Sequence, residues 1–410
     1  MNTLGPGRHV MYKVLLVAHW DWVLYNFRLP LARALREAGY NVVFTCPPGP
    51  YIRWLQGAGF AWIPWRVERR GMNPVRELAA VWRLAKIYRA ERPDLVHHFT
   101  MKPIIYGTLA AHSPATLRAP TRPGWDKSDG RRPCIINTLS GLGFLFSDQR
   151  LARMLRVVLL PALRYCLRSR DAWTVVLNPE DELACVRLGL CDVERLTTMR
   201  SHMGVDVSAF CPDGRSGKAE RPHVAIVLMA CRLLWDKGVA EFVEAARLLR
   251  RAGLATEFWL AGAPDPGNPR CIPQKVVEEW AREGVIRWLG HREDMPELLR
   301  QADIAVLPSY HEGLPRFLLE AAATGLPLVA TDIPGCRPIV KDGENGFLVP
   351  ARDAAALAAS VARLVCDPLL RGRMGKASRE LAEREFAESV VLEQWVNLYQ
   401  RVLARDSVPA

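Results

Sequence analysis

Short apolar runs of strand length alternate with helical patterns along nearly the whole chain, and this restricts the possible folds more than any other feature. Tyr12 to Ala18 is the first run, followed by His19 to Phe27, an amphipathic segment Arg28 to Ala38 ending at Gly39, and a second run Asn41 to Thr45. Further runs lie at Asp94 to Phe99, Cys134 to Leu139, Ala172 to Leu177, His223 to Ala230, Thr256 to Ala261, Val285 to Leu289, Ile304 to Leu307 and Leu326 to Thr331. Alternation in both halves predicts an α/β protein of two Rossmann-like, doubly wound parallel sheets, with ligand at the carboxyl ends of the strands in a cleft between them. At 410 residues and 50% hydrophobic content the chain exceeds one core and fits two domains of about 200 residues.

The linker is expected near Gly204 to Arg221, where Gly, Pro, Asp and Ser accumulate and periodicity disappears. The expected segments are therefore 1–203, 204–389 and a C-terminal helical stretch 390–410. Residues 113–133, rich in Pro, Arg and Gly, read as an inserted loop.

Charge divides unevenly between the halves. Residues 1–200 hold 29 Lys and Arg against 15 Asp and Glu, net +14, while residues 201–410 hold 26 against 28, net −2. A basic half suits nucleic acid, an anionic membrane or an acidic substrate. Nucleic acid is the weakest of these, because the chain has no zinc spacing, tandem repeat or aromatic RNA-binding motif and its arginines are dispersed through helical patterns. The ten cysteines form no CxxC pair, and Cys134 and Cys231 sit in or beside apolar runs as small hydrophobes. With no signal-peptide pattern and no long uncharged apolar stretch, a cytoplasmic setting is expected, with the basic half associated peripherally with the anionic inner face of the plasma membrane.

Two segments carry the chemistry. In the first, Glu312 and Glu320 flank Gly313, Leu314 and Pro315, directly after the run Ile304 to Leu307. Pro315 fits the first position of a helix, so Glu312 and Gly313 fall in the preceding loop and Glu320 inside the helix. A strand entering a helix through such a loop offers unpaired N–H groups and a positive dipole end to a phosphate. In the second, Arg232 and Lys237 stand between the run ending at Ala230 and the helical pattern Val239 to Arg251, placed to reach one diphosphate.

These motifs, in this order, resemble the C-terminal domain of family 4 retaining glycosyltransferases, which have the GT-B fold. Ala302 to Tyr310, Glu320 to Pro327 and Asp342 to Val349 extend the match. Asn26 to Leu31, His97 to Pro103 and Asn137 to Gly143 are similar to a bacterial subgroup that extends lipid-linked saccharides for capsule, O-antigen, exopolysaccharide or protein glycans. The resemblance implies α-forming transfer of an N-acetylated hexosamine from a UDP-sugar to a polyprenyl-diphosphate-linked saccharide. It also implies that the last helix crosses back to the N-terminal domain. Arg232 and Lys237 would stabilise the leaving diphosphate with the N–H groups around Gly313 and Leu314, Glu312 would hold the donor sugar, Glu320 the ribose, and the base would dock near Arg292.

Acceptor contacts are expected from Asp21, His98, Lys102 and Ser140, the last standing where the family carries a histidine. His98 as a packed histidine and Lys102 as a surface cation are equally open. The chain departs from the family at His19-Trp20-Asp21-Trp22, where a Gly-Gly turn is usual. No Asp-x-Asp pair occurs, so no metal and no bound cofactor are expected. Gln149 to Arg170 combines an apolar stripe with arginines and suits either a membrane interface or packing on its own sheet. A UDP-sugar epimerase or phosphorylase of the same fold, or a non-catalytic membrane-associated scaffold, are the alternatives.

Overall fold

The computed structural model describes residues 11–69, 71, 73–117, 132–139, 150–199, 201, 203–212 and 224–405. It forms two compact units, Met1–Met203 with Leu392–Ala410, and Gly204–Val391. Residues 213–221 of the expected linker and 118–131 of the expected insertion lie outside the described residues.

The first unit runs β1 (Lys13–Val17), α1 (Asp21–Glu37), β2 (Asn41–Cys46), α2 (Ile52–Gly57), β3 (Ala61–Pro64), α3 (Pro74–Glu91), β4 (Leu95–Phe99), α4 (Met101–Ala111), α5 (Pro114–Leu117), β5 (Cys134–Thr138), α6 (Arg150–Leu167), β6 (Ala172–Val176), α7 (Pro179–Arg187) and β7 (Leu196–Thr198). The strands form one parallel sheet in the order β3-β2-β1-β4-β5-β6-β7. Its central strands are buried along their length because helices cover both faces, which is why they read as unbroken apolar runs. β3 and β7 escape that criterion. They are edge strands of four and three residues, partly exposed. Helix α1 starts earlier than expected, since Leu24, Arg28, Leu31 and Leu35 form one continuous buried stripe.

The second unit runs β8 (Ala225–Ala230), α8 (Val239–Arg251), β9 (Thr256–Ala261), α9 (Gln274–Arg282), β10 (Arg287–Gly290), α10 (Met295–Gln301), β11 (Ile304–Leu307), α11 (Arg316–Ala323), β12 (Leu328–Thr331), β13 (Gly346–Val349), α12 (Ala354–Cys366), α13 (Pro368–Leu381) and the start of α14 (Glu388–Arg405). Its sheet order is β10-β9-β8-β11-β12-β13. Both sheets reverse direction of strand addition once, between β1 and β4 and between β8 and β11. Such switch points open a crevice at the carboxyl ends of the strands.

From Leu392 onward, α14 completes the first unit. Trp395 and Tyr399 are fully buried there, with Trp395 Nε1 donating to the Ser201 carbonyl at 3.3 Å. The Tyr399 hydroxyl meets His97 Nδ1 at 2.5 Å, and His97 Nε2 meets Thr138 Oγ1 at 2.6 Å. His98 takes the opposite face of β4, as strand alternation requires. It is fully buried, with Nε2 2.8 Å from the Tyr88 hydroxyl and Nδ1 2.8 Å from Asn137 Oδ1. A β-carbon on Gly107 of α4 would stand 2.1 Å from that ring.

The described half of α6 packs inward, with Leu163, Cys166 and Leu167 buried against Ile104, Leu139 and Val176. Of the two uses expected for Gln149 to Arg170, this half takes the packing one; residue 149 and the side chains of 150–158 lie outside the described residues. Among the described residues no helix is long and apolar enough to cross a membrane.

Trp395→Ala is expected to destabilise the protein by about 3–5 kcal/mol, the scale of removing a fully buried aromatic side chain, read as a lowered urea midpoint. Burial lowers the His98 imidazole to about 4. Above pH 6.5 the ring is neutral in folded and unfolded chain alike; below that, the unfolded chain gains a proton that the folded chain takes up only near pH 4. Stability is therefore full above pH 6.5 and falls towards pH 4, by up to roughly 3 kcal/mol for this group. Urea titrations of His98→Asn should show a lower midpoint at neutral pH and a shallower decline on acidification.

Candidate active site

In the second unit the switch point is built by four loops in backbone contact. Gly238, with φ 73°, caps α8, and a β-carbon there would lie 2.1 Å from the Pro308 carbonyl oxygen. Only glycine permits both the left-handed conformation and that approach. A β-carbon on Gly262 would stand 1.9 Å from the Cys231 carbonyl oxygen, and one on Gly335 2.3 Å from the Glu312 carbonyl oxygen. Tyr310 N donates to the Asp236 carbonyl at 2.9 Å, and Ser309 Oγ to the same oxygen at 3.2 Å. The loops after β8, β9, β11 and β12 thus hold one another by main chain.

Within this frame Lys237 Nζ meets Glu312 Oε1 at 2.6 Å, with side chains only 18% and 12% exposed. Two residues expected at the reaction centre are therefore in direct contact. Partial desolvation strengthens their attraction, and removing either would leave an uncompensated charge. Burial pushes the neighbouring Cys231 thiol up to about 12, so it stays protonated at neutral pH.

Pro315 is the N-cap of α11, not its first helical residue, with ψ at 112°. Gly313 and Leu314 precede it, and their N–H groups have no protein acceptor among the described residues. Glu320 sits one turn into α11, buried, bonded to Arg316 Nε at 2.6 Å. Burial raises its carboxyl above the ordinary value, and Arg316 opposes that shift. Arg232 is exposed and pairs with Asp265 at 3.1 Å. Arg292, after β10, pairs with Asp294, two strands away from β8 in the sheet order.

The residues expected to touch the acceptor are distributed differently. His98 has both ring nitrogens occupied and is held neutral by burial at physiological pH, so it is a packed histidine and not an anion contact. Lys102 Nζ is engaged by the Glu68 carbonyl at 2.9 Å, the Gly71 carbonyl at 2.8 Å and Glu77 Oε1 at 3.0 Å, which ties the loop before α3 to α4. Asp21 is buried at the start of α1 and accepts from Tyr51 N at 2.8 Å. Ser140 lies outside the described residues.

What the sequence did not mark out at this switch point is the pairing of His19 and Thr100. His19 Nδ1 meets Thr100 Oγ1 at 2.8 Å, joining the loops after β1 and β4. Burial, with Arg69 and Lys102 nearby, lowers the His19 imidazole to about 4. Arg69 stacks on Trp20 at 3.6 Å. Thr100 itself has φ 75°, a strained conformation for a β-branched residue. No residue type in the sequence signals that strain. Among the described residues no group of three His, Cys, Asp or Glu side chains gathers to hold a metal.

Comparison with known proteins matches this geometry to a family. Residues 224–367 match the model described as glycosyl transferases group 1, and residues 13–118 the model described as glycosyl transferase 4-like, together more than half of the chain. The chain is 29% identical over 400 residues, 95% of its length and 99% of the relative's, to the N,N'-diacetylbacillosaminyl-diphospho-undecaprenol alpha-1,3-N-acetylgalactosaminyltransferase of Campylobacter jejuni. It is 24% identical over 307 residues, 73% of its length and 74% of the relative's, to the UDP-Gal:alpha-D-GlcNAc-diphosphoundecaprenol alpha-1,3-galactosyltransferase of Escherichia coli. A glycosyltransferase of Rickettsia africae superposes with TM-score 0.73 at 18% identity, covering 96% of this chain and 99% of that one. The chain belongs to the group 1, family 4-like glycosyltransferases and has their GT-B fold.

Proposed function

We propose that this glycosyltransferase moves a sugar, an N-acetylated hexosamine, from UDP to a polyprenyl-diphosphate-linked saccharide, with retention and α-linkage, in bacterial surface-glycan assembly on the cytoplasmic face of the membrane. The observation that carries the site is the Lys237–Glu312 contact beside the open N–H groups of Gly313 and Leu314. A cation and amide donors converge there where a leaving diphosphate needs charge neutralised, and a carboxylate stands where sugar hydroxyls need an acceptor. The lipid-linked acceptor is supported by the Campylobacter relative, which aligns along nearly its entire length and whose name specifies an undecaprenyl-diphosphate substrate.

In this mechanism Lys237 and Arg232 bind the diphosphate, and Arg232 exchanges its exposed partner Asp265 for phosphate at little cost. Glu312 holds donor-sugar hydroxyls, Glu320 accepts from the ribose, and the base docks towards Arg292. The departing phosphate takes the acceptor proton on the same face of the sugar. These cations replace a divalent metal.

Nucleotide release by the purified protein is expected only when one UDP-sugar and the polyprenyl-diphosphate-linked acceptor are both present, at the same rate with EDTA. Acceptor-independent release, or a requirement for added Mg²⁺ or Mn²⁺, would refute the respective parts. Lys237→Ala and Arg232→Ala should each lower turnover about 10²-fold or more. Wild-type kcat in either variant removes that residue from the mechanism.

A further inference from the structure

Helix α3 carries two apolar faces. Ala80, Leu84, Ala85 and Tyr88 are buried in the core of the first unit. Beside that face, turned to solvent, Val75, Leu78 and Trp82, spaced three and four residues apart, are 76%, 70% and 56% exposed. The helix start is fixed by Asn73, whose side chain accepts from Val75 N at 3.1 Å and Arg76 N at 3.3 Å, with Pro74 in the first turn. These apolar side chains are thus held outward by a well-capped helix.

Cations surround that stripe. Arg76, Arg83, Lys86 and Arg89 are all exposed, Lys86 Nζ lies 3.5 Å from the centre of the Trp82 ring, and among the described residues only Arg76 of these has an acidic partner, Glu68 at 2.5 Å. An outward Trp and Leu with flanking Lys and Arg match the polar boundary of an anionic bilayer, where indole sits at headgroup depth and cations meet lipid phosphates. A second copy of the same face would set these cations against one another.

The position of the stripe is equally specific. α3 begins at the carboxyl edge of the sheet, and Lys102 clamps the loop before it, through the Glu68 and Gly71 carbonyls, and its first-turn Glu77 to the start of α4. The stripe therefore lies at the end of the first unit that also carries His19 and Thr100. We infer that the outward face of α3, through Val75, Leu78 and Trp82 with Arg83, Lys86 and Arg89, docks this protein onto an anionic lipid surface. This rests on the lipid-linked acceptor for its purpose, since it holds the switch point of the first unit at the membrane.

The test is co-sedimentation of the full chain with vesicles of phosphatidylglycerol and phosphatidylcholine, and of phosphatidylcholine alone. Wild-type protein should pellet with the mixed vesicles and lose binding with rising salt. Leu78→Asp/Trp82→Ala and Arg83→Glu/Lys86→Glu should each bind at least tenfold more weakly, about fivefold per cation removed, at unchanged urea midpoints. Leu369→Asp, at an 85% exposed site on α13, should bind as wild type. Undiminished pelleting of both double variants overturns the proposal. So does a wild-type dimer in solution that Leu78→Asp/Trp82→Ala converts to monomer, because the face is then a self-interface. Vesicle binding needs no sugar nucleotide, so failure of the transfer assay leaves it standing. Wild-type transfer to a water-soluble short-chain acceptor by the double variants separates docking from chemistry.

Discussion

Nothing larger than hydrogen fits between Gly238 and the Pro308 carbonyl, and the placement of the candidate site's loops depends on that contact. A parallel sheet brings β8 and β11 side by side at the switch point, but it does not fix the loops leaving them. The close approach does. It places Lys237, one residue before Gly238, against Glu312 from the other loop, while Gly335 seats the chain after β12 under the Glu312 carbonyl. The main chain fixes where both side chains start, so the pair has only its side-chain rotamers left to order.

The first unit uses its switch point differently. Its two loops meet through His19 and Thr100, and most of its local charge is already engaged, Lys102 by carbonyls and Glu77, Arg69 over an indole ring. The basic excess legible in composition is therefore not a ready-made anion pocket at every lysine. Part of it organises the loops, and part, on α3, faces outward. Helix α14 then closes the other side of β4 over His97.

How far the sequence could be read follows from what each residue answers to. Central strands were legible because burial on both faces demands uninterrupted apolar residues, whereas β3 and β7 are partly exposed edge strands under no such demand. The meeting of Lys237 with Glu312 was legible because both stand in loops fixed by adjacent strands and glycines, while Arg232 turns to Asp265. His98 was not, since a histidine at a strand end looks the same whether Tyr88 and Asn137 or an anion waits beside it. The membrane question turned on a similar limit. Periodicity finds an apolar stripe on α6 and cannot say that its described half is covered, while α3, whose exposed apolar stripe adjoins its buried one, blurs its own period.

The Lys237–Glu312 pair also bears on how a catalytic cycle would close. The ammonium already has a counter-ion, so a diphosphate that approaches it competes with a carboxylate. On the proposed mechanism, an intact sugar nucleotide compensates that displacement by giving Glu312 hydroxyls to accept from. The spent nucleotide carries no sugar, and its terminal phosphate would face a carboxylate with no donor between them. On that mechanism the same contact would favour the intact substrate over the spent product, through an exchange of partners at one lysine.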